Sequence, residues 1–429
     1  MTNSPCVIYW FRRDYRLDDN PALTAAIATA TQAGCPLLAV AISPSRTINS
    51  VGGELDRGAT ALAWAHATQN ALHRQLQAMG QQLHLVADIT SLRQLAERLH
   101  VTHIFCESIE LPYETDEVTA LSVGANWSIQ QYPQSSLFNA DMLPFPVDDV
   151  PLVFTAFRQA IEKAGLRAAQ PLAPVRQVPP APPNFEFNPP AGVPVVHHPR
   201  SSMAPDRMPG ETGARRHWAD YLAAGHPHRY FETRNQLSGQ HFSSQLSVDL
   251  AWGTLSVRRV IEMLDAFEVK NGTSKSSYWL WFELMWREHF RWLHQRFGVK
   301  LFHARGLAKA TPPRRVKNPR WTDWCRGETG QPLIDAGMRE LANTGFLSNR
   351  MRQIVASYWL NDLGGDWRAG AAWFESQLCD EDCFSNTGNW LYIAGLGSDP
   401  RGGRRFDPVK QMRDHDPAGR YQRLWGASA

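Results

Sequence analysis

VIYWFRRDYRLDDNPALTAAIATAT, residues 7–31, starts on an unbroken apolar run and passes into an alanine-rich stretch with apolar residues at helical intervals. Val7–Phe11 reads as a buried strand and Asn20–Thr31 as the helix after it. Between them stands Arg12-Arg13-Asp14-Tyr15-Arg16 where a dinucleotide site would need a glycine-rich turn, so ordinary NAD binding is not expected here. The alternation continues. Pro36–Ile42, Gln82–Val86, Thr102–Cys106 and Trp127–Tyr132 read as strands, and Gly58–Met79, Leu92–Leu99 and Tyr113–Leu121 as helices. An α/β domain over residues 1–135 follows, a doubly wound parallel sheet with helices on both faces.

Residues 171–209 change texture. Twelve prolines from Pro171 to Pro209 exclude helix or central strand, and residues 136–210 are read as an extended, Pro-rich interdomain connector. From Glu211 to the end, helical periodicity returns, and 13 of the 16 tryptophans lie beyond residue 200. A larger all-α domain over 211–429 is expected, with an aromatic core that also suits a bulky planar cofactor.

A chain of 429 residues agrees with two domains. No apolar run approaches a membrane span, and Met1–Pro5 leads straight into the first strand without room for a signal peptide. The expected location is cytoplasmic. The six cysteines are scattered without a C-x-x-C pair, so neither a disulfide framework nor a metal site is expected. Residues 1–140 carry a balance of −4, leaving +7 for the remainder of a chain with net charge +3. That asymmetry points to an anionic partner for the later half, nucleic acid first.

Three segments of the later half combine polar groups with helix signals. In Tyr230-Phe231-Glu232-Thr233-Arg234-Asn235 and the following Ser243-Ser244-Gln245-Leu246-Ser247, the hydroxyls either cap a helix or donate to phosphates at its start. In Tyr278–Glu288, Glu283 and Arg287 are four apart and share a helical face among aromatics. They read either as a surface ion pair or as a desolvated carboxylate whose raised pKa suits donation to a substrate carbonyl. The third runs from Thr344-Gly345-Phe346-Leu347-Ser348-Asn349-Arg350-Met351-Arg352 to Asp380-Glu381-Asp382-Cys383-Phe384-Ser385-Asn386-Thr387-Gly388-Asn389-Trp390. No histidine accompanies its carboxylates, and an Arg352–Asp380 ion pair is the simpler reading.

These segments resemble the FAD-binding core of photolyases and cryptochromes, most closely the DASH-type cryptochromes. Thr233-Arg234-Asn235, Trp286-Arg287-Glu288, Thr344–Arg350 and Ser385–Trp390 carry the likeness. Asp399-Pro400-Arg401-Gly402, Pro408-Val409-Lys410-Gln411, Asp416-Pro417-Ala418-Gly419 and the opening Trp10–Leu23 extend it over nearly the whole chain.

The resemblance implies FAD in the helical domain, with Tyr230, Ser243, Ser244, Leu246 and Ser247 toward its phosphates. It places Arg352 and Asp380 beside the flavin, Asp382 at the ring and ribityl end, and Glu283, Arg287 and Asn349 along the site. Asn386 would face N5, where a carboxamide accepts from N–H but does not readily protonate nitrogen. The implied activity is blue-light-driven repair of cyclobutane pyrimidine dimers by electron transfer from reduced flavin, preferentially in single-stranded DNA. Glu283, Trp286, Asn349 and Asn386 are its catalytic candidates, and Trp286, Arg350 and Arg314 its DNA contacts. The loop Ser348–Gln353 lacks the histidines a (6-4) photolyase needs, and the four cysteines of the iron–sulfur relatives are missing.

Trp390 and Trp367 match the first two members of the family's electron-transferring tryptophans, whereas Arg314 falls on the third, leaving Trp321 or Trp324 as substitutes. Gln245 stands where DASH-type proteins commonly carry lysine, which weakens a phosphate contact. An antenna folate is implied, with Glu114 as its contact; a plain helix-start glutamate is the alternative. The competing function is a blue-light photoreceptor without significant repair. Signalling members usually add a tail, and only Gly426–Ala429 follow Trp425 here.

Overall fold

A computed structural model describes residues 5–192, 194–310, 314–397 and 402–426. The motif residues Asp399, Pro400 and Arg401 and the last three residues of the tail lie outside them. Seven strands occur among the described residues: β1 (Cys6–Phe11), β2 (Leu37–Ile42), β3 (Thr47–Ser50), β4 (Gly53–Asp56), β5 (Leu83–Val86), β6 (Val101–Glu107) and β7 (Ser128–Tyr132). Five form one sheet in the order β5-β2-β1-β6-β7, with every neighbouring pair parallel. The antiparallel β3–β4 hairpin stands apart.

Helices α1 (Pro21–Ala33), α2 (Ala59–Gln77), α3 (Ile89–Arg98) and α4 (Pro112–Ser122) alternate with the strands. The first begins where the Asn20 side chain accepts from Leu23 N at 3.0 Å and Pro21 presets the first turn. It ends at Gly34, whose φ of 60° is the left-handed stop. Strand side chains alternate between faces. Val7, Tyr9 and Phe11 pack with Leu23, Ala26, Leu72 and Leu76 of α1 and α2. Cys6, Ile8 and Trp10 pack with Leu92, Leu95 and Leu121 of α3 and α4. The sheet is therefore covered on both sides, as a doubly wound sheet must be.

The segment read as one long connector has two parts. Residues 154–163 form helix α5 (Phe154–Lys163), and its Phe154, Phe157 and Ile161 are buried in the core of the helical domain. Their spacing of three and four is the apolar face of a helix, a signal masked by the prolines that follow. Among the described residues from Pro171 to Pro209 there is neither helix nor strand, yet the chain is pinned to the α/β domain. Leu37 N donates to Pro180 O at 3.1 Å and Leu85 N to Asn188 O at 2.7 Å, while Phe185 and Phe187 pack on the α3–α4 side.

The helical domain is organised around the helix Lys275–Phe297, opened by a reciprocal Ser274–Ser277 capping box. The helix Cys383–Ala394 crosses it where Gly388 meets Phe290; a Cβ there would lie 2.2 Å from the ring. The two domains are joined by the loop after β1. Arg16, 1% exposed, donates to the carbonyls of Asp18, Asp19, Gln134 and Gly253. Tyr15 N donates to Trp252 O at 3.1 Å. The arginines that replace a glycine-rich turn thus satisfy buried carbonyls across the joint.

Candidate functional site

A cavity of about 440 Å³ lies inside the helical domain, and every residue expected to hold the cofactor is on its wall: Tyr230, Ser243, Ser244, Leu246, Ser247, Glu283, Arg287, Asn349, Arg352, Asp380, Asp382 and Asn386. One wall is built by the helix Cys383–Ala394 and the turn before it. Asp382 caps that helix by accepting from Ser385 N at 2.9 Å and pairs with Arg291 at 3.1 Å. Burial raises its pKa, but Arg291 and Arg287 outweigh that and hold it well below the usual carboxylate range. Asp380 pairs with Arg352 at 2.7 Å, the ion pair read from the sequence. Its other oxygen, Oδ1, is buried without a hydrogen-bond partner, an acceptor that asks for a ligand N–H. Asn386 donates its amide to Ala371 O at 2.9 Å, leaving the carbonyl oxygen as the group offered to the cavity.

A second wall is the helix Lys275–Phe297. Glu283 does not pair with Arg287. Its Oε1 accepts from Arg234 at 2.6 Å and from the Trp279 indole at 3.0 Å. Arg287 turns inward instead, donating to Ser135 O at 2.7 Å and to Glu288 at 3.1 Å. Side chains four apart share a face, but here the two point to opposite edges of it, one toward the cavity rim and one toward the domain joint. Burial and the neighbouring Arg291 lower the Arg287 pKa to about 10. Burial raises the Glu283 pKa against the pull of Arg234. Trp286 lies flat on Phe154, ring centroids 3.8 Å apart and planes within 9°, so α5 backs one of its faces. Asn349, exposed at the start of the helix Asn349–Asn361, completes this rim.

The serine-rich wall leads into the short helix Ser247–Trp252. Gln245 takes a left-handed φ of 51° and buries its amide against Ser202 O at 2.7 Å. It is therefore tied to the connector and gives the cavity no charge in place of a lysine. Tyr230 is buried, and that burial pushes its hydroxyl pKa well up.

Three expected residues are not on the wall. Arg350 stands just behind the rim, donating to Asn235 Oδ1 at 2.8 Å. Trp367 is buried with its indole donating to Ala304 O at 3.1 Å. Arg314 is half-buried and donates to Leu360 O, which anchors it inside the protein away from the cavity. Trp390, by contrast, lines the cavity. Glu114 sits at the domain joint, 3.8 Å from Arg13, which pairs with Glu381 at 3.1 Å. Burial raises the Glu381 pKa to about 8 even beside that arginine. Sequence reasoning missed Arg234 and Trp279 as the partners of Glu283. Trp279 lies four residues before it, a spacing that could have found the contact.

The donor set fits a flavin dinucleotide: hydroxyls and a helix start for phosphates, an arginine–carboxylate pair with a free acceptor for a ring edge, and aromatic walls for a planar body. Among the described residues no group of His, Cys, Asp and Glu could hold a metal ion, and no helix is long and apolar enough to cross a membrane. The family model for DNA photolyase matches residues 7–181, and that for the FAD binding domain of DNA photolyase matches residues 279–427. Cryptochrome DASH of Vibrio parahaemolyticus is 34% identical over 425 residues, covering 97% of this chain and 92% of that one. Cryptochrome DASH of Synechocystis sp. is 35% identical over 433 residues, covering 98% and 87%. The crystal structure of a Synechocystis cryptochrome superposes with a TM-score of 0.91 at 34% identity, covering 99% of this chain and 89% of that one. A bacterial class III photolyase from Agrobacterium tumefaciens gives 0.78 at 27% identity, covering 98% and 86%.

Proposed function

The chain belongs to the DASH cryptochromes of the FAD-binding photolyase/cryptochrome superfamily, and we propose that it repairs cyclobutane pyrimidine dimers under blue light, preferentially in single-stranded DNA. The observation that carries this reading is the rim of the cavity. A half-buried carboxylate of raised pKa, Glu283, stands near a flat indole, Trp286, and the polar Asn349, all on the wall that would hold the flavin. A signalling flavin needs no such arrangement.

When bound, FAD supplies the photoexcited electron that opens the dimer and receives it back, so the protein needs no hydrolytic groups. The chain's own residues do four things. Asp380 and Arg352 fix the flavin edge, and Asn386 offers an acceptor to N5–H without a proton to give. Tyr230, Ser243, Ser244, Leu246 and Ser247 take the phosphate end. Glu283 bonds the dimer carbonyls while Trp286 stacks on a base and Asn349 contacts the lesion. Arg234 and Arg350 place positive charge behind the rim, suited to the DNA backbone. An antenna folate held at the domain joint by Glu114 belongs to the same reading.

The test is repair of a defined thymine dimer by photoreduced protein, in single-stranded and duplex oligonucleotides, with a dark control. Light-dependent repair of the single strand is expected, with duplex repair weaker by about tenfold or more, because flipping a base pair out of a stack costs a few kcal/mol. No repair by protein shown to hold reduced FAD would move the assignment to a photoreceptor.

A further inference from the structure

We propose that Phe154 of helix α5 sets the plane in which Trp286 meets a nucleobase, and is thereby a positioning residue for the substrate. The part that concerns the substrate rests on the DNA reading given above. Trp286 is on the cavity wall and Phe154 is not, so Phe154 acts through the indole.

Little else fixes that indole. Trp286 is half-exposed, and among the described residues its N–H donates to no acceptor, so ring packing alone holds it. Tyr392 meets it edge-on at 5.4 Å and 71°, His289 at 6.1 Å and 64°, and Phe290 lies tilted at 5.6 Å and 38°. Only Phe154 is parallel to it among the described residues, with centroids 3.8 Å apart and planes within 9°. An edge contact lets a ring rock about the line of contact. A parallel contact does not, because a tilt drives one end of the ring into its neighbour and lifts the other end away. The same contact covers one indole face and leaves the other for a base to stack on. A preset plane spares the base the cost of ordering a loose side chain as it binds.

Phe154 can hold that plane because it is itself held. It is 5% exposed at the first position of α5, and Phe282 packs edge-on to it at 5.2 Å and 80°. The residues just before it are tied to the helix that carries Trp286. His289 donates from Nε2 to Pro151 O at 2.8 Å, and Arg296 donates to Val150 O. Burial lowers the His289 pKa to about 4, so the ring stays neutral at neutral pH with its proton on that bond. Residues 150–154 are therefore fastened to the helix Lys275–Phe297 one turn beyond the indole. Phe157, on the next turn of α5, is as deeply buried, and its ring contacts are with His289 at 5.0 Å and Phe145 at 5.9 Å. It is the control for a buried ring that does not face Trp286.

The experiment uses FAD-containing protein with fluorine-labelled tryptophan and two substitutions at one position. Phe154→Leu keeps an apolar side chain but no flat face, and Phe154→Tyr keeps the face. Without DNA, the fluorine resonance of residue 286, assigned by its loss in Trp286→Phe, should be one narrow line in wild type and in Phe154→Tyr. It should shift and broaden in Phe154→Leu. In the dark, Phe154→Leu should bind a single strand carrying a thymine dimer about three- to tenfold more weakly, the worth of one aromatic pair, at unchanged FAD content. Repair per bound dimer at saturation should stay within about twofold of wild type, since the reacting groups are in place once the dimer is bound. Phe157→Leu should change neither the resonance nor the binding. In a Trp286→Ala background, Phe154→Leu should have no further effect on binding, because the indole through which it acts is gone. An unmoved resonance in Phe154→Leu, an equal loss in Phe157→Leu, or additive losses in the double variant would overturn the role. If wild-type protein holding FAD binds the dimer no better than an undamaged strand, the DNA reading fails, and the resonance alone decides whether Phe154 sets the indole.

Discussion

Glu283→Ala removes light-driven repair, by about 100-fold or more, while FAD stays bound; the magnitude is that of deleting one well-placed hydrogen-bonding group from a reacting centre. Glu283 Oε1 is already occupied by Arg234 and Trp279, so Oε2 is the oxygen left for a substrate. In the alanine variant the dimer carbonyl enters a desolvated rim and finds no partner, which costs the full desolvation of that group. The polar groups that would hold the flavin edge and face N5, Asp380, Arg352 and Asn386, belong to other elements and are untouched. Repair yield and bound flavin are measured on the same sample. Equal loss of both would reassign Glu283 to cofactor binding, and unchanged repair would remove it from the mechanism.

The same carboxyl predicts a pH dependence. Its pKa is raised above the ordinary 4.5 by burial, so the protonated donor persists above that value and disappears as pH rises through the raised one. Repair that uses the donor therefore declines with rising pH. Glu283→Gln keeps a donor that does not titrate and should flatten the decline, and an identical profile in both proteins would rule out the protonated form.

Asp249→Ala destabilises the helical domain by about 3–5 kcal/mol, the cost of leaving one charge of a buried pair without its partner. Arg207 of the connector and Asp249 of the helix Ser247–Trp252 are ion-paired with both side chains 1% exposed. Removing the carboxylate strands the guanidinium beneath the serine-rich wall, so the flavin's phosphate end should loosen first. Urea unfolding followed by tryptophan fluorescence gives the stability, and flavin release on dilution gives the local effect. A double replacement of Arg207 and Asp249 by leucine should recover much of the loss, because it removes the uncompensated charge. A loss below about 1 kcal/mol in Asp249→Ala would show that water reaches the site.

The sheet was legible because β1 and β2 are apolar runs and β5 and β6 are mostly so, although β7 is the polar Ser-Ile-Gln-Gln-Tyr, and the observed ends fall close to those read from the pattern. The β3–β4 hairpin was not, since Thr47–Asp56 is mostly polar and exposed and buries only Ile48. Helix α5 was hidden by its neighbours, as the prolines dominate the composition of a window that also holds Phe154, Phe157 and Ile161. The cavity wall was legible only through the likeness of its motifs. Periodicity alone could say that Glu283 and Arg287 share a helical face, yet the partner of Glu283 is Arg234, 49 residues away. Long-range pairing of this kind leaves no trace in local spacing. The ring contact between Trp324 and Trp390 is of the same sort, formed by elements 66 positions apart in sequence.

The docked connector has a bearing on solubility. β5 ends the parallel sheet, and an uncovered last strand is a template on which other chains can add. Asn188 meets that edge twice, its carbonyl accepting from Leu85 N at 2.7 Å and its side-chain amide donating to Leu85 O at 2.9 Å. The residues on either side of this contact are rich in proline, which cannot extend a ladder of its own. The segment therefore seals the β5 edge with a proline-flanked strip that is a poor template for a second molecule, and it guards that edge against edge-to-edge association.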